Sequence, residues 1–295
     1  MTETGGFISD PCFVVHIRTM SGYVCTIAGG KGGVGKTTTA INIAAVFEDG
    51  GYDTVVVDAD LGMANLGEML EVEFDTSIHD ILAGSSTVSA ALTDASGGIT
   101  VIPGEQSLEA FAEADPAKLR KVLKTLRNTY DVVLVDTGAG LSHETTVPLG
   151  LADGVLLVTT PDDVAVSDTG KTAELADRVD GTVIGTLVTR VTRETDVQAI
   201  ADTLDSPLLG VIPADINAAG REPLVINAPE SNAADAYRQL TASLRPVFFE
   251  GASGDSVERV FDEEWFAEEE EADEEDAEKE EEEEKDSGMF GGLFG

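Results

Sequence analysis

Residues 30–38 read Gly30-Lys31-Gly32-Gly33-Val34-Gly35-Lys36-Thr37-Thr38. They fit the phosphate-binding loop pattern G-x-x-x-x-G-K-S/T. The flanks agree with it. Tyr23-Val24-Cys25-Thr26-Ile27-Ala28 reads as a short buried strand, and Thr38 to Phe47 reads as a helix with an apolar stripe. Strand, glycine loop and helix N-terminus together make an anion site. Glycines let backbone N–H groups close on phosphate oxygens, and the helix dipole favours negative charge there. A glycine-rich turn alone does not explain Lys36-Thr37 at the helix start. The pattern predicts that Gly30, Lys31, Gly32, Gly33, Val34, Gly35, Lys36, Thr37 and Thr38 cradle a nucleotide. Lys36 would neutralise the β- and γ-phosphates, and the Thr37 hydroxyl would ligate Mg2+.

Working outward, Thr54-Val55-Val56-Val57-Asp58 reads as a buried parallel strand running into Asp58-Ala59-Asp60-Leu61-Gly62-Met63-Ala64-Asn65-Leu66. Two carboxylates at the C-terminal end of a strand face the crevice where such sheets bind ligands. Asp60 also suits a helix N-cap. Tyr130 to Asp136 is an apolar strand ending in Asp, the Walker B form, whose carboxylate holds Mg2+. Further strands are expected at 99–104, 154–160, 182–189 and 208–213. Helices are expected at 77–82, 116–130, 164–178 and 233–244, the first ended by Gly84. In the second, Leu119, Val122, Leu123 and Leu126 form one face behind an Asp115-Pro116 start, and its Lys and Arg residues read as a solvated face. His79 reads as structural and His143 as an ordinary helix residue. The pattern predicts an α/β, three-layer P-loop NTPase fold with a mostly parallel central sheet flanked by helices.

Lys31 adds a second cation at the front of the loop, where an ordinary phosphate loop requires none. The string Lys-Gly-Gly-Val-Gly-Lys-Thr-Thr resembles the deviant Walker A motif of the MinD/ParA family of dimerising ATPases. The resemblance runs from about Tyr23 to about Phe248, with its three motifs in order. It implies that Lys31 reaches across a dimer to the partner's nucleotide while Lys36 acts within its own chain. It implies Asp58 near the Mg2+ shell, with Thr37 and Asp136, and Asp60 orienting or activating the attacking water. Lys31, Lys36 and Asp60 are thus the implied catalytic residues. Leu208 to Asp215 resembles the family's adenine-lining exit strand, so Arg190, Pro213 and Asp215 are implied near the base. This chain departs from the family at Gly138, where relatives often have proline, and at Thr189-Arg190, where many have asparagine. The cofactors implied are ATP and Mg2+. The activity implied is slow hydrolysis of ATP to ADP and phosphate, driving a homodimer switch that positions division, motility or chemosensory assemblies with an unidentified activator or cargo. Two other readings stand beside it: a ParA-type partition ATPase acting with DNA, and a nucleotide-binding scaffold with little hydrolysis.

The chain of 295 residues carries 56 acids and 18 bases, a formal charge of −38. The run from Asp262 to Asp286 holds −16 of it, leaving −22 for the rest. That resembles MinD-like proteins of halophilic archaea, whose surface carboxylates keep them hydrated. Such a balance argues against non-specific DNA binding, which needs Lys and Arg on phosphates. Cys12 and Cys25 form no C-x-x-C pair, and neither a disulfide framework nor a protein metal cluster is expected. No apolar run reaches the ~18 residues of a membrane span, and no cleavable leader is evident, so a cytoplasmic location is expected. Residues 1–19 are expected to be a disordered extension, with Met20 as the real start. Residues 20–250 are expected to be the ATPase domain, 251–287 an acidic low-complexity tail beginning with a short amphipathic helix, and 288–295 a short apolar end. Met289, Phe290, Leu293 and Phe294 suit weak, peripheral membrane contact at the inner face of the cell membrane.

Overall fold

The computed structural model describes residues 21–140, 142–257 and 265. Its strands are β1 Tyr23–Ala28, β2 Thr54–Ala59, β3 Thr93–Asp94, β4 Thr100–Ile102, β5 Val132–Thr137, β6 Gly154–Thr159, β7 Val183–Val191 and β8 Leu208–Pro213. They form one sheet in the order β3-β4-β2-β5-β1-β6-β7-β8, parallel throughout except for β3 against β4. The helices are α1 Lys36–Asp49, α2 Leu66–Met69, α3 Ile78–Ala83, α4 Val88–Ala91, α5 Leu108–Glu113, α6 Leu119–Leu126, α7 His143–Leu149, α8 Asp163–Arg178, α9 Val197–Leu204, α10 Leu224–Asn227 and α11 Asn232–Glu250.

Alternation along each strand sends the side chains to the two faces of the sheet, where the two larger of three buried clusters lie. Val56, Leu134 and Leu156 join Ile41, Ile43, Tyr237 and Leu240 under α1 and α11. Val55, Val57, Val133 and Val135 join Ile78, Leu82, Leu119, Val122, Leu123 and Leu126 under α3 and α6. Because both faces are covered, the central strands are apolar at nearly every position, as buried parallel strands must be. The expected three-layer P-loop fold is the fold observed.

Three details differ from the sequence-based expectation. The helix expected over 116–130 is shorter. It opens as a 3-10 turn at Pro116–Lys118, capped by the Asp115 side chain, and α6 ends at Leu126. The chain must turn there, with Tyr130 N donating to Leu126 O, to enter β5 at Val132. The helix expected to end at Leu244 runs on to Glu250 through Pro246. Aromatic packing holds that extra turn: Phe248 stacks on Tyr23 at 4.3 Å and Phe249 on Tyr52 at 4.6 Å. Finally, β3 is an antiparallel edge of two residues, too short to leave a period.

The expectations for residues 1–19, for the acidic run and for the apolar end lie outside the described residues. So does most of the expected amphipathic helix after Gly251. Trp265 is described and is buried against α11, where its Nε1 donates to Asp235 Oδ2 at 3.1 Å and its carbonyl accepts from Asn232 Nδ2 at 2.9 Å. No helix among the described residues is long and apolar enough to cross a membrane.

Candidate nucleotide site

Glycine is required in the loop between β1 and α1, above all at Gly35 and Gly30. Gly35 caps α1 in the left-handed region at φ 93°, and a Cβ at Gly30 would overlap the Asp168 backbone of α8. The backbone N–H of Gly30 donates to Thr169 Oγ1 at 3.3 Å, which ties the loop to that helix. α1 has no side-chain cap and no acidic residue in its first turn, so its N-terminal N–H groups are left to an anion.

Lys36 lies along the loop, buried, with Nζ donating to the Lys31 carbonyl at 3.4 Å. Burial lowers its pKa, while the Asp136 and Asp60 charges oppose that. An anion in the cradle would complete the surroundings that its ammonium lacks. Lys31 is different. It stands exposed at the front of the loop, its Nζ 3.2 Å from Asp162 Oδ1 at the α8 N-cap.

Asp58 and Asp136 are register partners on adjacent strands β2 and β5, both fully buried. Burial pushes both carboxyls up, the Asp58 charge raises Asp136 further, and the Asp60 charge raises both. Asp58 is held by three backbone donors, Asp60 N at 3.2 Å and Asn65 N and Leu66 N at 3.1 Å. Asp136 Oδ2 accepts from Thr37 Oγ1 at 2.6 Å, and Thr37 also reaches Asn65 Oδ1 at 3.1 Å. Asp136 Oδ1 is buried without a hydrogen-bond partner among the described residues. A buried carboxylate oxygen with nothing to bind, next to a threonine hydroxyl and a lysine, fits a hard cation such as Mg2+. Thr37, Asp136 and Asp58 would hold it directly or through water.

Asp60 sits between the two carboxylate strands and the segment after β5. Its Oδ1 accepts from Met63 N at 3.1 Å. A Cβ at Gly138 would lie 2.9 Å from that same Oδ1, so glycine there makes room for the Asp60 carboxylate.

The arrangement as a whole is an anion cradle with one internal cation, one external cation, a hydroxyl–carboxylate cation site and a further carboxylate, Asp60, beside it. The family described as the AAA domain matches residues 22–186. An uncharacterised ATP-binding protein of Methanocaldococcus jannaschii is 36% identical over 234 residues, covering 77% of this chain and 89% of that protein. The cell division ATPase MinD of Pyrococcus furiosus superposes with a TM-score of 0.73 at 33% identity, covering 77% of this chain and 99% of that one. The chain is a MinD/ParA-type ATPase. The septum site-determining protein MinD of Pyrococcus horikoshii, whose structure is complexed with Mg-ADP, matches with a TM-score of 0.72 at 33% identity over 78% of this chain and 98% of that one.

In this MinD/ParA-type ATPase the residues implied for the base end are placed less tightly. Arg190, at φ 55°, turns its guanidinium back so that Nη2 donates to Gly33 O at 2.7 Å. It therefore braces the loop. Pro213 ends β8, and Asp215 Oδ1 accepts from Asn217 N at 3.1 Å and Ala218 N at 2.9 Å, which shapes the 215–220 turn. Several residues of the site escaped the sequence reading. Thr189 Oγ1 donates to Val34 O at 2.8 Å, Glu222 Oε1 accepts from Thr38 Oγ1 at 3.2 Å, and Asn42 Oδ1 accepts from Val225 N at 3.1 Å. Each joins α1 or the loop to a distant segment, and no local pattern announces such a pairing. Asn65 belonged to the quoted stretch after β2, but its contact with Thr37 depends on the fold.

Proposed function

We propose that this ATPase is an ATP-dependent dimerisation switch that hydrolyses ATP to ADP and phosphate and positions cellular machinery. Its cofactors are ATP and Mg2+, for which the unused Asp136 oxygen beside Thr37 speaks. The observation that carries the dimer is Lys31. Lys36 already serves the cradle from inside, whereas the exposed Lys31 ammonium is bonded, among the described residues, only to a surface carboxylate of its own chain. It is free to exchange Asp162 for the phosphates of a second copy, because exposed ion pairs are weak.

In the mechanism, the loop N–H groups and Lys36 bind the triphosphate and offset its charge. Mg2+, held through Thr37 and the Asp136–Asp58 pair, would neutralise charge developing on the phosphate oxygens. Asp60 orients a water for in-line attack, and the absence of a Cβ at Gly138 lets its carboxylate stand against the segment after β5. Product release would loosen the copies. The assembly positioned would be division machinery, as the names of the two Pyrococcus relatives suggest, or motility or chemosensory machinery. The location would be cytoplasmic, with peripheral contact at the membrane through the C-terminal apolar residues. The net charge of −38 disfavours DNA as the matrix.

The test is dimer mass by light scattering and phosphate release with MgATP, at low and molar KCl, for wild type, Lys31→Ala, Lys36→Ala and Asp60→Ala. Wild type is expected to dimerise and turn over, Asp60→Ala to dimerise and stall, and Lys31→Ala to remain monomeric. A Lys31→Ala chain that dimerises and turns over like wild type would overturn the switch.

A further inference from the structure

In a chain this acidic, residues 116–130 contain no Asp or Glu and hold five of the 18 bases: Lys118, Arg120, Lys121, Lys124 and Arg127. Three of them lie on the outer face of α6 and the other two, Lys118 and Arg127, cap its ends, opposite Leu119, Val122, Leu123 and Leu126, which are buried. Two of the five are engaged. Lys118 Nζ donates to Ala83 O at 2.9 Å, and Arg127 pairs with Asp153 and donates to Ser21 Oγ at 2.7 Å. The side chains of Arg120, Lys121 and Lys124 are exposed and make no hydrogen bond or ion pair among the described residues. Next to them a groove of about 460 Å³ is bounded by Ser21, Arg120, Lys124, Arg127, Asn128 and Leu151. Three unpaired cations on two turns repel one another, and with 56 acids in the chain their lack of partners calls for an anionic occupant.

We propose that this basic face of α6 is the docking site of the chain's own acidic segment, residues 268–286, which holds 15 acids and two lysines. The segment starts from Trp265, which is fixed on α11 through Asp235 and Asn232 on the face of the sheet opposite α6. From Trp265 to Asp286 is a span of ~70 Å when extended, which carries the distal part of the segment round a domain with a radius of gyration of ~17 Å to its opposite face. Tethering raises the local concentration of the segment to about the millimolar range. A nucleic acid carries the same anionic chemistry, but it must approach from solution against a charge of −38. The residues before Ser21 enter beside the groove with only Glu3 and Asp10 to offer. Docking of the acidic segment would cover the three cations.

Zero-length carbodiimide coupling of the full-length chain tests this, because it joins a carboxylate to an amine only where the two touch. At about 50 mM KCl and micromolar protein, amide cross-links are expected between Lys121 or Lys124 and glutamates of 268–286, in the band of single-chain mass. They are expected to fall roughly five-fold or more in 2 M KCl, where screening extends only ~3 Å or less, and several-fold in Arg120→Ser, which keeps both target amines. Tail cross-links spread evenly over Lys31, Lys171 and the other exposed lysines would overturn the proposal. So would cross-links confined to a band of doubled mass, which place the segment on a second copy, or a yield indifferent to both salt and Arg120→Ser.

Discussion

Lys36 and Lys31 are the same residue type five positions apart, and burial separates their work. Lys36 is held inside the cradle, so Lys36→Ala removes a preorganised charge. It is expected to cost ~10²-fold or more in phosphate release. Asp60→Ala removes the group that orients water and is expected to cost ~10²-fold or more in turnover while leaving nucleotide affinity close to wild type. Single-turnover measurements separate the two effects. Gly138→Ala puts a methyl 2.9 Å from Asp60 Oδ1 and must displace it. A several-fold loss of turnover with unchanged nucleotide affinity is expected, and unchanged turnover would show that Asp60 works elsewhere. Asp136 and Asp58 carry a pH signature in the nucleotide-free protein. Their folded pKa values are raised, by burial first, to about 8 and about 6. The folded state thus holds protons more tightly than the unfolded chain. The stability they contribute is present below pH ~4 and is lost as pH rises through about 6 and about 8. Melting temperatures from pH 5 to 8.5 should therefore show Asp136→Asn gaining on wild type as pH rises. Parallel curves would refute the assignment.

At the scale of elements, α1 begins where a left-handed glycine lets the chain turn from loop to helix. Gly35→Ala at φ 93° is expected to cost ~1–2 kcal/mol of stability, together with most of the nucleotide affinity, read by denaturant melts with and without MgADP. α3 is set by a capping box, in which the Ser77 hydroxyl accepts from Asp80 N and Asp80 accepts from Ser77 N. Through it the next residue but one, His79, is aimed inward. His79 Nε2 meets Leu61 O at 2.9 Å, and its Nδ1 accepts from Glu105 N at 3.1 Å, with Gln106 Nε2 donating to Ala64 O at 2.7 Å beside it. These bonds lash the segment after β2 to the loop before α5. The start and stop of α3 were legible in Ser77 and Gly84. The function of its buried histidine was not, because its partners lie 18 and 26 residues away.

At the scale of the molecule, ligand binding and folding are one equilibrium. MgATP at a hundred times its Kd is expected to stabilise the chain by ~2.7 kcal/mol. A melting temperature unmoved by MgATP would remove the nucleotide reading altogether. Deleting the residues after Asp286 is expected to leave dimerisation intact and to abolish any membrane association. Unchanged association with lipid vesicles would dismiss the apolar end as an anchor.

The sequence by itself determined what short-range chemistry can determine. Gly30 to Thr38 specified strand, loop and helix. Apolar runs ending in Asp58 and Asp136 marked two central strands, since a strand buried on both faces can hardly be anything but apolar. The tertiary structure decided what depends on parallel crossovers. It alone set the order that makes β2 and β5 neighbours and Asp58 and Asp136 partners. It alone brought Thr189 to the loop, Glu222 to Thr38 and Val225 to Asn42, carried α11 through Pro246 on aromatic stacking, and left Arg120, Lys121 and Lys124 without a hydrogen-bond or ion-pair partner among the described residues. The reason is one of range. Glycine conformations, caps and periodicity act within a few residues, whereas a parallel sheet pairs residues separated by a whole crossover, and only packing chooses among them.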